Sequence, residues 1–142
     1  MNETRASSPK ADSFSAAQAV AAGTDFAELQ VGPLGVFWNE YRPADGACRI
    51  WHWQDAKARR LTPDGFSARS RVYEYGGGSF CLSHDGVLFV NEADQQLYHQ
   101  SLSDEQPVAL TSGECRYGDL GFADGQVLAV EEQANQHRLV SI

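Results

Sequence analysis

The sequence predicts an all-β fold made of repeated four-stranded units, and three observations support this. Eleven short β-like runs follow one another from Ala27 to the end of the chain. Asp-Gly pairs separate several of these runs, as is typical of tight hairpin turns. Short motifs also recur at roughly 40–50 residues, the length of one blade of a β-propeller.

The N-terminal segment differs from the rest of the chain. Residues 1–13 are polar and predict a disordered tail. One short helix is predicted next, because Ser15 and Gln18 fit a capping box and Gly23 supplies a C-terminal stop. We therefore expect the folded part to cover residues 14–142.

The predicted strands lie between turn residues that tolerate a positive φ. The turn pairs are Asp45-Gly46, Asp64-Gly65, Asp85-Gly86 and Asp124-Gly125. The strands are predicted at Ala27–Val31, Gly35–Tyr41, Cys48–Trp53, Ala58–Thr62, Gly78–Ser83, Val87–Asn91, Gln96–Ser101, Val108–Thr111, Tyr117–Phe122, Val127–Glu131 and His137–Ile142.

The recurring motifs favour a propeller over a sandwich or barrel, which need no such repeat. Trp38-Asn39-Glu40 matches Val90-Asn91-Glu92 and Val130-Glu131-Glu132, each at the end of an apolar run. Leu61-Thr62-Pro63 matches Leu110-Thr111-Ser112, each at the end of a fourth strand. Four-stranded units with this period are propeller blades.

The repeats predict a partial β-propeller of about two and a half blades. Blade one is expected at about 27–62, blade two at about 78–111 and blade three at about 117–142, without its fourth strand. Natural propellers close a ring of about four to eight blades. We therefore interpret the chain as truncated, and its exposed blade edges favour self-association.

Composition argues against several classes of partner. The chain has 19 acidic and 11 basic residues, a formal charge of −8. Nucleic acids and anionic membranes require a basic face, so we expect neither as a partner. No run approaches the roughly 18 apolar residues of a membrane span. The 3 cysteines are too far apart for a CxxC pair and suit a reducing compartment, so we expect a cytoplasmic protein.

Two local patterns imitate catalytic motifs. Ser83-His84-Asp85 holds the three residue types of a serine-protease triad in direct succession. Neighbouring strand residues point to opposite faces, so we interpret this segment as a turn. Gly65–Arg69 resembles a nucleophile elbow but ends in arginine. We therefore predict no catalytic residue, no metal site and no cofactor in this chain.

The clearest family resemblance lies between blades one and two. Arg69–Gly78 reads Arg-Ser-Arg-Val-Tyr-Glu-Tyr-Gly-Gly-Gly. It resembles the R-x-R-V-x-E-Y-G-G-G segment of bacterial serine peptidases of the prolyl oligopeptidase family, of the dipeptidyl aminopeptidase/acylaminoacyl-peptidase type. Arg116–Leu120 resembles an R-Y-x-D-L segment of the same family.

This resemblance implies a larger enzyme, in which an N-terminal propeller precedes an α/β-hydrolase domain with a Ser-Asp-His triad. In such enzymes the propeller restricts access, so that peptides and not folded proteins reach the nucleophile. The chain would supply only the first blades, without activity of its own. Its partners would be the peptide substrate and the hydrolase domain.

The segment Arg69–Tyr75 is the candidate functional site, because it must cross one face of the propeller toward the channel. The candidate residues are Arg69, Arg71, Glu74 and Tyr75, with Arg116 and Asp119 at the equivalent place in the next blade. One hypothesis is that Glu74 or Asp119 binds a cationic peptide N-terminus, or that these charges line the passage to the hydrolase domain. The alternative is a structural salt bridge among Arg71, Glu74 and a neighbouring blade.

A second function also fits the sequence. Partial rings could associate with one another and form a stand-alone propeller that binds a protein or glycan partner. This alternative needs neither a hydrolase domain nor a peptide substrate.

Overall fold

The computed structural model describes residues 23–142, and the predicted N-terminal tail and almost all of the predicted helix lie outside this range. The described residues form three antiparallel sheets. Sheet one contains β1 (Asp25–Gly32), β2 (Gly35–Arg42), β3 (Ala47–Gln54) and β4 (Lys57–Arg60). Sheet two contains β5 (Phe80–Leu82), β6 (Gly86–Val90), β7 (Leu97–Ser101) and β8 (Val108–Ala109). Sheet three contains β9 (Arg116–Ala123), β10 (Gln126–Gln133) and β11 (Gln136–Ser141).

All eleven predicted strands are present, and their ends lie within about two residues of the prediction. Asp-Gly turns explain part of this agreement, because Gly46 and Gly125 lie in hairpin turns with a positive φ and Gly65 has a positive φ after β4. Gly86 is needed for another reason. A Cβ at this position would lie 2.0 Å from the carbonyl oxygen of Gln100 on the paired strand.

The three sheets are blades of a partial β-propeller, as predicted. Their first strands are neighbours, since β5 contacts both β1 and β9. Each hydrophobic core lies between two blades. Between blades one and two it contains Phe37, Ile50, Leu61, Ala68, Phe80, Val87 and Phe89. Between blades two and three it contains Cys81, Leu88, Val90, Leu97, Tyr117, Val127 and Ala129. No helix among residues 23–142 could cross a membrane.

The register of the repeat differs by one residue from the motif match. The first hairpins pair Val31 with Val36, Leu82 with Val87, and Phe122 with Val127, each across the same number of turn residues. Counted from these pairs, Glu40 corresponds to Asn91 and Glu131, and Asn39 corresponds to Val90. The match of Asn39 with Asn91 was therefore wrong by one residue. Since neighbouring residues of a strand point to opposite faces, the side chains of Asn39 and Asn91 lie on opposite faces of their blades.

Candidate functional site

The segment that connects β4 to β5 lies between blades one and two and hydrogen-bonds to both. The backbone N–H of Ala68 donates to the carbonyl of Cys48 at 2.8 Å, and that of Arg69 donates to Val90 at 3.0 Å. The Ser67 hydroxyl accepts from the N–H of Cys48 at 3.0 Å and donates to the carboxylate of Glu92 at 2.7 Å. This segment therefore couples the two blades.

The same segment continues onto blade three. The Ser70 hydroxyl donates to the carbonyl of Tyr117 at 2.6 Å. The backbone N–H of Tyr73 donates to the Glu132 carboxylate at 2.7 Å, and the Tyr73 ring lies 4.7 Å from that of His137. Residues 67–79, which we name the crossing segment, thus contact all three blades.

A tight turn exposes one aromatic ring of the crossing segment. Tyr73, Glu74 and Gly76 have φ values of 59°, 64° and 88°, in the left-handed region that disfavours residues with a Cβ. Two such non-glycine residues in succession also occur in the hairpin turns Asp55-Ala56 and Ala134-Asn135, so the feature indicates a tight turn. Tyr75, which lies in this turn, is 98% exposed.

The candidate charges form two groups. Arg69 and Arg71 both approach Glu92, with N–O distances of 3.7 and 3.3 Å. Glu74 pairs with Arg116 at 3.2 Å, and Arg116 also lies 3.4 Å from Glu132. The structure therefore pairs Glu74 of the crossing segment with Arg116 of blade three, whereas Arg71 pairs with Glu92.

Asp119 lies apart from both groups, on the first strand of blade three. Its carboxylate accepts a hydrogen bond from the N–H of Gly78 at 2.7 Å, and its own N–H donates to the carbonyl of Gly78 at 2.8 Å. A Cβ on Gly77 would come within 2.8 Å of this carboxylate. The glycines of the crossing segment thus make room for Asp119.

Glu28 is a site residue that the sequence analysis missed. Its carboxylate accepts hydrogen bonds from the N–H of Ser79 at 2.8 Å, the hydroxyl of Ser79 at 2.7 Å and the N–H of Phe80 at 3.3 Å. Glu28 and Asp119 occupy equivalent bulges of β1 and β9, with φ values of 54° and 51°. The signal in the sequence was an acidic residue followed by leucine in both strands.

These contacts surround a cavity of about 280 Å³ between blade one and the crossing segment. Asp25, Glu28, Asn39, Arg69 and Tyr75 are among its lining residues. Asn39 is buried, and its amide nitrogen donates to Ala68 and Ser79 while its Oδ1 accepts no hydrogen bond among the described residues. The cavity therefore offers acceptors for a donor group beside one guanidinium.

Glu132 holds the crossing segment as an ionised carboxylate. The N–H of Tyr73 and then the imidazole of His137 lower the pKa of Glu132 below its usual value. Because the carboxylate also faces Arg116, it stays charged at neutral pH.

The Ser83-His84-Asp85 segment forms the turn between β5 and β6, and the imidazole of His99 from β7 contacts it. His99 Nε2 lies 2.8 Å from Asp85 Oδ1 and 3.4 Å from Ser83 Oγ. One imidazole nitrogen thus faces both groups, whereas a catalytic triad uses the two nitrogens separately. Burial raises the pKa of Asp85, but hydrogen bonds from His99 and Ser83 outweigh it and leave the pKa lowered.

No protein-family model matches the chain, and no curated protein is significantly similar to it. Solved structures similar to this chain include two peptidases. A puromycin-hydrolysing peptidase from Mycobacterium tuberculosis has a TM-score of 0.74 and 29% identity, over 83% of this chain and 20% of that one. A puromycin hydrolase variant complexed with PGG has a TM-score of 0.68 and 23% identity, over 88% of this chain and 22% of that one.

The chain thus spans about a fifth of the length of each of these two proteins. The match to the first of these structures covers 83% of this chain. It confirms the resemblance of this chain to the N-terminal β-propeller portion of serine peptidases of the prolyl oligopeptidase family.

Proposed function

We propose that this chain is the non-catalytic propeller portion of a serine peptidase and that its crossing segment limits the access of peptides to a hydrolase domain. The observation that carries the proposal is the structural match to a puromycin-hydrolysing peptidase at a TM-score of 0.74. Activity would then require the rest of a longer protein.

The contacts of the crossing segment support a role at the entrance. It contacts all three blades beside the first strands, which line the central channel of a propeller. Its tip is held by the exposed pair Glu74–Arg116, whose side chains are 81% and 39% exposed. Exposed ion pairs contribute little stability, typically below about 1 kcal/mol, so this contact can open at small cost.

The test substitutes this pair in a protein that contains the chain together with its hydrolase domain. We expect Arg116→Ala to raise kcat/KM several-fold for a long unstructured peptide and to leave that for puromycin nearly unchanged. The matched control is Arg60→Ala, because Arg60 pairs with Asp64 at 3.0 Å with 38% and 84% exposure. Equal peptide-to-puromycin ratios in the two variants would exclude a gating role for the crossing segment.

A second measurement tests whether the chain lacks activity. The purified 142-residue chain is incubated with puromycin, and free O-methyltyrosine is quantified by chromatography. We expect no release above the uncatalysed rate. Hydrolysis by the chain alone would contradict the non-catalytic assignment.

A further inference from the structure

The cavity of about 280 Å³ beside the crossing segment lies on the side of blade one that faces blade two. Asn39 and Tyr41 line it, and they share a face of β2 with Phe37, because alternate residues of a strand point to the same side. Phe37 belongs to the core between blades one and two. The cavity therefore lies on an inner side of the described blades.

This cavity has apolar walls and one unsatisfied polar group. Ala27, Cys48 and Ala68 contribute small apolar side chains to its lining. Asn39 is only 6% exposed, and its Oδ1 accepts no hydrogen bond from the residues that the structure describes, although its amide nitrogen donates twice. A buried acceptor without a donor costs free energy. The group that fits this site has an apolar body and a hydrogen-bond donor at its tip.

Tyr75 lies at the rim of this cavity and has such a side chain. It is among the lining residues and yet is 98% exposed, so its ring lies in solvent. Aromatic rings normally bury most of their surface, and a buried tyrosine hydroxyl usually finds a hydrogen-bond partner. Gly76 and Gly77 also line the cavity and carry no side chain that would separate the ring from it. An exposed phenol and an unsatisfied acceptor thus lie at the same cavity.

We propose that Tyr75 is a two-position gate, whose ring turns from solvent into this cavity and whose hydroxyl then donates a hydrogen bond to Asn39 Oδ1. At about 30 Å³ for each water, 280 Å³ corresponds to about nine waters, more than the number of heavy atoms in a phenol group. The inward position removes an aromatic ring from water and supplies the missing donor. Rotation of an exposed side chain needs no change in the hydrogen bonds of the turn, such as that from the Gly76 N–H to the carbonyl of Val72 at 2.9 Å.

The two positions differ in what the crossing segment presents to solvent. The outward ring projects from the turn, and the inward ring leaves that space free. If the crossing segment limits the access of peptides, Tyr75 sets the width of the entrance, and only this consequence rests on the proposed function. The rotation itself belongs to the 142-residue chain and is tested on that chain alone, so its failure would not contradict the gating role, which has its own test.

Alkylation of Cys48 reports on the cavity, because this half-buried cysteine lines it. The chain is treated with iodoacetamide at fixed pH, and mass spectrometry of its peptides gives the rates at Cys48 and at Cys115, a half-buried cysteine outside the cavity lining. We expect Tyr75→Ala to raise the rate at Cys48 at least threefold and to leave Cys115 unchanged. Tyr75→Phe, which keeps the ring and lacks the donor, should give an intermediate rate. The matched control is Val108→Ala, which truncates a 60% exposed apolar residue on β8 and should leave both rates unchanged.

A second measurement distinguishes a ring inside the cavity from a ring that only covers its mouth. We expect NMR cross-relaxation between the Tyr75 ring protons and the side chains of Ala27 and Asn39, and its absence overturns the proposal. A wild-type rate at Cys48 in Tyr75→Ala overturns it as well, and so does an equal acceleration at both cysteines, which would indicate a general loosening of the fold. If Tyr75→Phe protects Cys48 as fully as wild type does, the hydroxyl is not the donor to Asn39, and a buried water takes that place.

Discussion

Glu28 of blade one accepts hydrogen bonds from both the backbone N–H and the hydroxyl of Ser79, at 2.8 and 2.7 Å. Ser79 lies directly before β5, the first strand of blade two, and is 51 residues further along the chain than Glu28. A single carboxylate therefore connects the first strands of two blades. Asp119 provides the corresponding contact from blade three, on Gly78.

The first prediction concerns Glu28. We expect Glu28→Ala to lower the free energy of unfolding by about 1–3 kcal/mol, because it leaves the buried donors of Ser79 without an acceptor. Urea denaturation followed by tryptophan fluorescence measures this change. Glu105→Ala, at an exposed glutamate, is the control and should stay within about 0.5 kcal/mol of wild type. Equal effects of the two variants would show that the Glu28 contact does not couple the blades.

The second prediction compares two glycines of β9. A Cβ on Gly118 would lie 2.7 Å from the Ser70 hydroxyl and 3.1 Å from the Val72 side chain, whereas nothing lies within 4 Å of one on Gly121. We expect Gly118→Ala to destabilise the protein by about 1–3 kcal/mol through overpacking. Gly121→Ala should be neutral or slightly stabilising. Thermal melts of both variants decide this, and similar melting temperatures would contradict the close packing of the crossing segment on blade three.

The third prediction concerns pH. The guanidinium of Arg138 holds the pKa of Glu131 below its usual value of 4.5, and the hydroxyl of Tyr117 adds a hydrogen bond at 3.0 Å. A lowered folded-state pKa gives stability that is present above pH 4.5 and is lost as pH falls through the folded-state value. We expect the melting temperature to drop below about pH 4.5, and to drop less in Glu131→Gln. If the melting temperature falls by the same amount in wild type and Glu131→Gln as the pH is lowered, Glu131 makes no such contribution.

The same pair also affects stability in alkali. Burial, with the hydrogen bond to Glu131, raises the pKa of Tyr117 from 10 to about 12. The raised value favours folding below pH 10, and this contribution disappears as pH rises from 10 to about 12. We expect Tyr117→Phe to flatten the stability curve in this range, measured by urea denaturation at fixed pH. An unchanged slope would mean that Tyr117 ionises equally in the folded and unfolded chains.

The position of the candidate site along the chain could be predicted from the sequence, but most of the contacts that its residues make could not. The motif and its position between two blades identified Arg69–Tyr75, and a pairing of Glu74 with a neighbouring blade was among the alternatives. Its partner Arg116 lies 42 positions away, and the contact with Glu132 spans 59 positions from Tyr73. Such contacts depend on how the blades pack, which local patterns do not report.

The sequence by itself determined the strands and the type of fold, because turn residues and alternating side chains act over a few neighbours. Asp-Gly pairs marked three of the hairpins in the described residues, and the spacing of the repeats indicated a propeller. Only the tertiary structure decided the register of Asn39 and the role of Glu28. Both depend on which face of a strand meets the next blade, and a bulge or a one-residue shift reverses that face without a clear change in the local pattern.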